Sequence, residues 1–227
     1  TRTETATATI FTDELFPVNP NLTYVLSFDA KSRNGLSKAY SMINFFDIDK
    51  KAIQAVHHMY WPASTTTFAR ELKKGDTVIY LTDMSGFSTT LAHGYYLKVW
   101  NYKNSFGYTY PIGTYTRNTI TIPKTSSNLL DTNYVNFTNN TITLTSAYNG
   151  ATIPAGTPVS QGHAGGVYKY IGAVNSTIPN SWKAFVGKIG GIDLGGQNSS
   201  IKFPPGVAYA NFGIIWNSGS PQDQMWI

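Results

Sequence analysis

Apolar residues in this chain recur every second position, or in short runs closed by turn formers, and helix-period stretches are almost absent. A strand turns successive side chains to opposite faces, so this pattern predicts strands half-buried against a second sheet. The segments that carry it best are Leu22–Lys31, Ser41–Asp47, Thr77–Leu81, Tyr95–Tyr102, Thr141–Leu144, Trp182–Ile189 and Ala208–Trp216. Ala52–Met59 reads as a further strand, and Thr67–Leu72 as the one helical turn, with Thr66 or Thr67 as its cap. Asn34-Gly35 and Asn149-Gly150 supply residues that tolerate positive φ, and Pro204-Pro205-Gly206 bends the entry to the last strand. The expected fold is therefore an all-β sandwich. Residues 150–172 are expected as a hairpin elaboration of it, and no Gly/Ser linker divides the 227 residues, which predicts a single domain over 1–227.

Composition narrows the function classes. Cysteine is absent, which excludes disulfides, zinc-thiolate sites and cysteine nucleophiles. Only 13% of residues are charged while Thr, Asn, Ser, Gly and Tyr are abundant, a surface suited to an extracellular or virion protein. The net charge of +5 is scattered, with nothing longer than Lys50-Lys51 or Lys73-Lys74, so no nucleic-acid footprint is expected. No apolar run reaches the roughly 18 residues of a membrane-spanning helix. Thr1-Arg2-Thr3-Glu4 shows neither an initiating Met nor a signal peptide, and the chain reads as a fragment of a longer polypeptide.

Several phrases resemble jelly-roll carbohydrate-binding modules of the family 4/9 type, in the form found in phage tail and baseplate proteins. They are Asn21-Leu22-Thr23-Tyr24-Val25-Leu26-Ser27-Phe28-Asp29-Ala30-Lys31, the hairpin Phe45–Lys51, Lys74–Leu81, Tyr115–Asn118, Ile153–Thr157, and Lys202-Phe203-Pro204-Pro205-Gly206-Val207-Ala208-Tyr209. Val207 departs from the Thr more common there. The resemblance implies a jelly-roll topology and a structural calcium held by separated loops. Its ligands are unassigned, with Asp13 and Glu14 as candidates.

The densest aromatic strand is Tyr95-Tyr96-Leu97-Lys98-Val99-Trp100-Asn101-Tyr102, followed by Phe106, Tyr108 and Tyr110. Alternation places Leu97 and Val99 on one face and Tyr96, Lys98, Trp100 and Tyr102 on the other. If the aliphatic face is core, the second face offers rings and a cation to a sugar, whose apolar C–H faces stack on indole or phenol. The alternative is that these rings fill a second layer or a subunit contact. Tyr60-Trp61, in a loop interrupted by Pro62, form a second candidate platform.

Metal and catalytic motifs are weak. His57-His58 would point to opposite faces of a strand, and Asp47-Ile48-Asp49-Lys50 lacks the Gly and Glu of a calcium loop and reads as a turn. Glu71, Asp76 and Asp83 announce no facing acid pair of the kind a glycosidase needs. The chain is thus expected to bind a cell-surface glycan or polysaccharide without catalysis, as an attachment module of a phage tail or other surface appendage. The alternatives are a structural fibre, baseplate or capsid-decoration domain forming a homo-oligomer such as a trimer, and a polysaccharide-degrading enzyme.

Overall fold

The computed structural model describes residues 7–103, 107–165, 168–193, 201–218 and 223–227. Thr1–Glu4, Phe106 and the Gly166-Val167 step lie outside them. The fold is all-β, built from antiparallel sheets, and the chain forms two compact units. The first contains residues 1–53, 166–193 and 199–227, and the second residues 54–165 with 194–198.

The first unit opens with β1 (Ala8–Phe11), β2 (Phe16–Pro17), β3 (Thr23–Ser32) and β4 (Lys38–Phe46). The second supplies α1 (Ala55–His58), β5 (Thr66–Thr67), β6 (Val78–Tyr80), β7 (Tyr96–Val99), β8 (Thr119–Thr121), β9 (Val135–Asn136), β10 (Thr141–Thr143) and β11 (Pro158–Gly162). Back in the first unit come β12 (Tyr168–Tyr170), β13 (Ser176–Thr177), β14 (Lys183–Gly190), β15 (Tyr209–Trp216) and β16 (Met225–Trp226).

In the first unit a six-stranded sheet runs β1-β15-β4-β12, with β13 also paired to β4 and β2 to β15, and a three-stranded sheet runs β14-β3-β16. Long eight-residue ladders fix the register: Tyr209↔Phe46 to Trp216↔Ala39 in one sheet, Lys183↔Ala30 to Gly190↔Thr23 in the other. Both sheets contribute to one core of Ala39, Ile214 and Trp216 with Ala30, Phe185 and Met225, which makes the unit a sandwich. Because side chains alternate, the same register turns Val25, Ser27, Asp29 and Lys31 of β3, and Ala184, Val186 and Lys188 of β14, to the outside.

The second unit has a four-stranded sheet, β5-β11-β7-β8, and a three-stranded sheet, β6-β10-β9. Leu97, Val99, Ile120 and Val159 from the former share a core with Ile79 and Ile142 from the latter, joined by Phe68, Leu72 and Ile153.

Three local expectations are corrected. Residues 150–172 form no hairpin elaboration: β11 pairs with β5 and β7 in the second unit, whereas β12 pairs with β4 in the first. Val159, Ser160 and Gln161 are buried, so β11 is a central strand, its sequence too short and mixed to announce its partners. The Thr67–Leu72 turn is extended, not helical. Phe68 N–H bonds Thr157 O, Ala69 N–H bonds Tyr80 O and Leu72 N–H bonds Ile153 O, because Phe68 and Leu72 both bury in the core. Conversely, the Ala52–Met59 strand ends in the single turn α1, where the backbone N–H of Gln54 donates to Nδ1 of His57 at 3.1 Å.

Candidate functional site

The structure closes both faces of β7. Leu97 and Val99 enter the core as the alternation predicts, and on the opposite face Lys98 and Trp100 are met by Val56 and Tyr60 of the same unit. Trp100, a ligand contact if its face were open, is 0% exposed. Its indole N–H donates to Ser160 Oγ at 3.0 Å, and the Tyr60 ring meets it edge-on with centroids 5.3 Å apart. Lys98 is buried beside it and donates from Nζ to Val56 O. Burial holds that amine well below the ordinary lysine range. Gly162 makes the space, since a Cβ there would lie 2.7 Å from the Lys98 stem. Trp100 and Lys98 are thus internal pieces of the second unit, and the expectation of an open aromatic face on β7 is corrected: the Tyr60-Trp61 loop, expected as a separate platform, lies across it.

The remaining sequence candidates are partly open. Tyr96 is half-buried against Tyr95, with ring centroids 4.7 Å apart, and burial raises its hydroxyl above the ordinary tyrosine value. Tyr102 Oη donates to Thr152 O at 2.9 Å. Trp61 keeps 41% of its surface exposed. Its turn is fixed from below: Ser64 Oγ donates to Trp61 O at 2.6 Å and accepts from Gln161 N–H at 2.7 Å.

Asp76 and Asp83 serve turns. Asp76 Oδ2 accepts from Lys73 N–H at 2.6 Å, and Asp83 accepts from both the N–H and the hydroxyl of Ser85, which holds its carboxyl below the ordinary aspartate value. Glu71 pairs with Lys73 at 2.8 Å. Asp47 Oδ1 likewise accepts from Asp49 and Lys51 N–H, closing a turn in which Lys50 has φ of 60°. Among the described residues no group of three His, Asp or Glu side chains could hold a metal ion.

A more open ring cluster stands on the outer face of the β14-β3-β16 sheet, in the first unit. Trp226 faces Lys31 directly in the β16–β3 register, and Trp182 precedes Lys183, the partner of Ala30. Both indoles therefore flank the same lysine. Lys31 Nζ lies 5.0 Å from the Trp182 ring centroid and 5.2 Å from that of Trp226, a double cation–π contact that sets the spacing of the rings. Trp182 remains 55% exposed. Two residues along β3, Asp29 shares a hollow of about 410 Å³ with Trp182 and Ile227. An open indole, an acidic acceptor and a fixed cation within one sheet face can stack on a sugar ring and bond its hydroxyls.

The sequence held a signal for this face. Trp182, Ala184, Val186 and Lys188 alternate with the buried Phe185 and Ile189, as Asp29 and Lys31 alternate with Phe28 and Ala30. Trp226 carries no such pattern, standing in a two-residue strand that only its partner β3 defines. Compared with known proteins, the chain matches no family model, no curated protein and no solved structure.

Proposed function

We propose that this chain is a non-catalytic glycan-binding module, with Trp182, Trp226 and Asp29 as its contact residues and Lys31 holding the two rings in position. The observation that carries the reading is the exposed Trp182 ring, held by Lys31 beside a hollow that ends on a carboxylate. An exposed indole beside a second ring and a carboxylate offers a sugar a stacking face and a hydroxyl acceptor together. A single flat platform gives weak affinity, so attachment to a cell surface would draw on several copies acting together. The resemblance to jelly-roll modules of phage tails accords with that role, on a virion or other surface appendage. A broad glycan array probed with the chain, followed by titration of the best hit into W182A, tests it. Binding that is lost in W182A at unchanged melting temperature is the expected result. No hit, or a hit indifferent to W182A, rejects the platform.

A second reading has its own observation. Val25 and Val186, each more than half exposed, continue the same face away from Trp182. Such an apolar strip is what a sister chain would cover in a fibre or decoration protein. Sedimentation equilibrium separates the two: a stable trimer that dissociates on V186D favours assembly, and a monomer favours glycan binding.

A further inference from the structure

We propose that the second unit carries its own binding groove for an uncharged oligosaccharide, independent of the Trp182 platform. A groove of about 640 Å³ is lined by β8 with the residues that follow it to Lys124, by Asp131 and Tyr134, and by residues 144–149. That volume lies in the range of sites that hold small ligands. Ile120, Ile122 and Leu144 supply its apolar lining, and Thr121, Ser146 and Asn149 its hydroxyl and amide groups.

Its two rings are fixed in place. Asp131 caps the turn Thr132–Tyr134 by accepting from Asn133 N–H at 3.0 Å, and this sets Tyr134, which is 37% exposed. Tyr148 donates from Oη to Ala151 O at 2.8 Å, and burial with the neighbouring Tyr102 pushes its hydroxyl up to about 12. It lies so close over Gly150 that a Cβ there would be 2.3 Å from its Oη. Tyr148 therefore offers the groove a ring, not a free hydroxyl.

The two charged groups of the groove, Lys124 and Asp131, are of opposite sign and each has a partner within the protein, so the groove presents no net charge to a ligand. Lys124 Nζ donates to Asn128 Oδ1 and sits 4.3 Å over the Tyr95 ring. Asp131 Oδ1 also accepts from the Asn133 side-chain amide at 3.0 Å. Beside this balanced pair the groove presents two rings, hydroxyls and an amide, the complement of a neutral sugar chain with C–H faces and hydroxyl edges. An extended peptide is the competing occupant, because β8 is the last strand of its sheet. That edge is only three residues long and is followed within two residues by Pro123, which has no N–H, so it offers little ladder for strand addition.

The test uses the W182A chain, so that the first-unit platform is out of play. Cellohexaose, maltohexaose, chitohexaose and a Thr-rich octapeptide are titrated into it, and then into W182A/Y134A. At least one hexasaccharide is expected to bind W182A and to bind about tenfold more weakly once Tyr134 is removed, with an unchanged melting temperature because Tyr134 is exposed. The groove proposal is overturned if no hexasaccharide binds W182A, if Y134A leaves binding unchanged, or if the octapeptide alone binds in a Tyr134-dependent way. Failure of the Trp182 platform would show differently, as wild type and W182A binding the same sugars equally.

Discussion

Trp100 donates its indole N–H to Ser160 Oγ at 3.0 Å, and Ser160 Oγ in turn lies 2.9 Å from Thr65 Oγ1. The ring thus ties β7, β11 and the segment 54–65 together from inside the second unit. Truncating a fully buried indole strips away its packing and leaves a cavity, at a cost of about 3–5 kcal/mol. W100A is expected to lower the unfolding free energy obtained from urea titration by that amount, with W61A, which is 41% exposed, costing under about 1 kcal/mol. Equal destabilisation in the two variants would show that the face is open after all.

Gly86 supports the same segment from the other side. A Cβ there would lie 1.8 Å from Ala63 O and 2.6 Å from Ala63 C, backbone atoms that cannot swing aside. Because Ala63 sits in the turn Pro62–Ser64 that follows Trp61, G86A must displace that turn. The expected cost is about 1–3 kcal/mol, with a change in tryptophan emission that disappears when the substitution is repeated in a W61A background. G75A separates sterics from backbone strain: Gly75 has open space around its Cβ position but φ of 99°, so it should lose stability without moving Trp61.

Two buried lysines make stability depend on pH. Burial holds Lys98 well below its ordinary 10.5, and brings Lys169 down to about 8 despite the attraction of Asp193. Where the unfolded chain carries the proton and the folded chain does not, stability rises with pH, by up to about 1.4 kcal/mol per unit for each group. Lys169 acts between about 8 and 10.5, and Lys98 over a window that also ends at 10.5 and opens well below it. Urea midpoints from neutral pH to pH 10 should therefore climb in the wild type. In K98M the share of the climb due to Lys98 should vanish and leave only that of Lys169, which sets in above about pH 8. A profile unchanged by K98M would mean that its amine stays charged when folded.

The long ladders of the first unit were legible because each is a long run rich in aromatic and β-branched residues, bounded by turn formers. Leu22–Lys31 appears as Thr23–Ser32, Trp182–Ile189 as Lys183–Gly190 and Ala208–Trp216 as Tyr209–Trp216. What alternation cannot carry is the choice of partner. Tyr96, Lys98, Trp100 and Tyr102 share a parity, yet whether that side is solvent depends on where residues 54–65 lie, a packing event set by Tyr60, Ser64 and Thr65 rather than by β7. The two-unit division escapes for a related reason. Residues 53–54 and 165–166 cross between units with no change of composition, and only the pairing of β11 with β7 and of β12 with β4 marks the crossing. The Trp182 face was half visible, through the parity of Lys31 and Trp182, and its other half waited on β16.

Lys31 offers the sharpest dissection of the platform, since it touches the rings without being one. With its Nζ 5.0 and 5.2 Å from the two indole centroids, it stabilises their spacing by about 0.5–1 kcal/mol per ring at an exposed site. K31M keeps a stem of similar length to pack between the rings and removes the charge. If the lysine acts by positioning, K31M should weaken glycan binding by about two- to fivefold for each ring it ceases to hold, and leave the melting temperature nearly unchanged. D29N, which removes the acceptor charge but no ring, should change the preference among sugars differing in hydroxyl pattern more than the overall affinity. If K31M abolishes binding as fully as W182A does, the ammonium itself contacts the ligand, and an acidic glycan replaces a neutral one as the expected partner of this face.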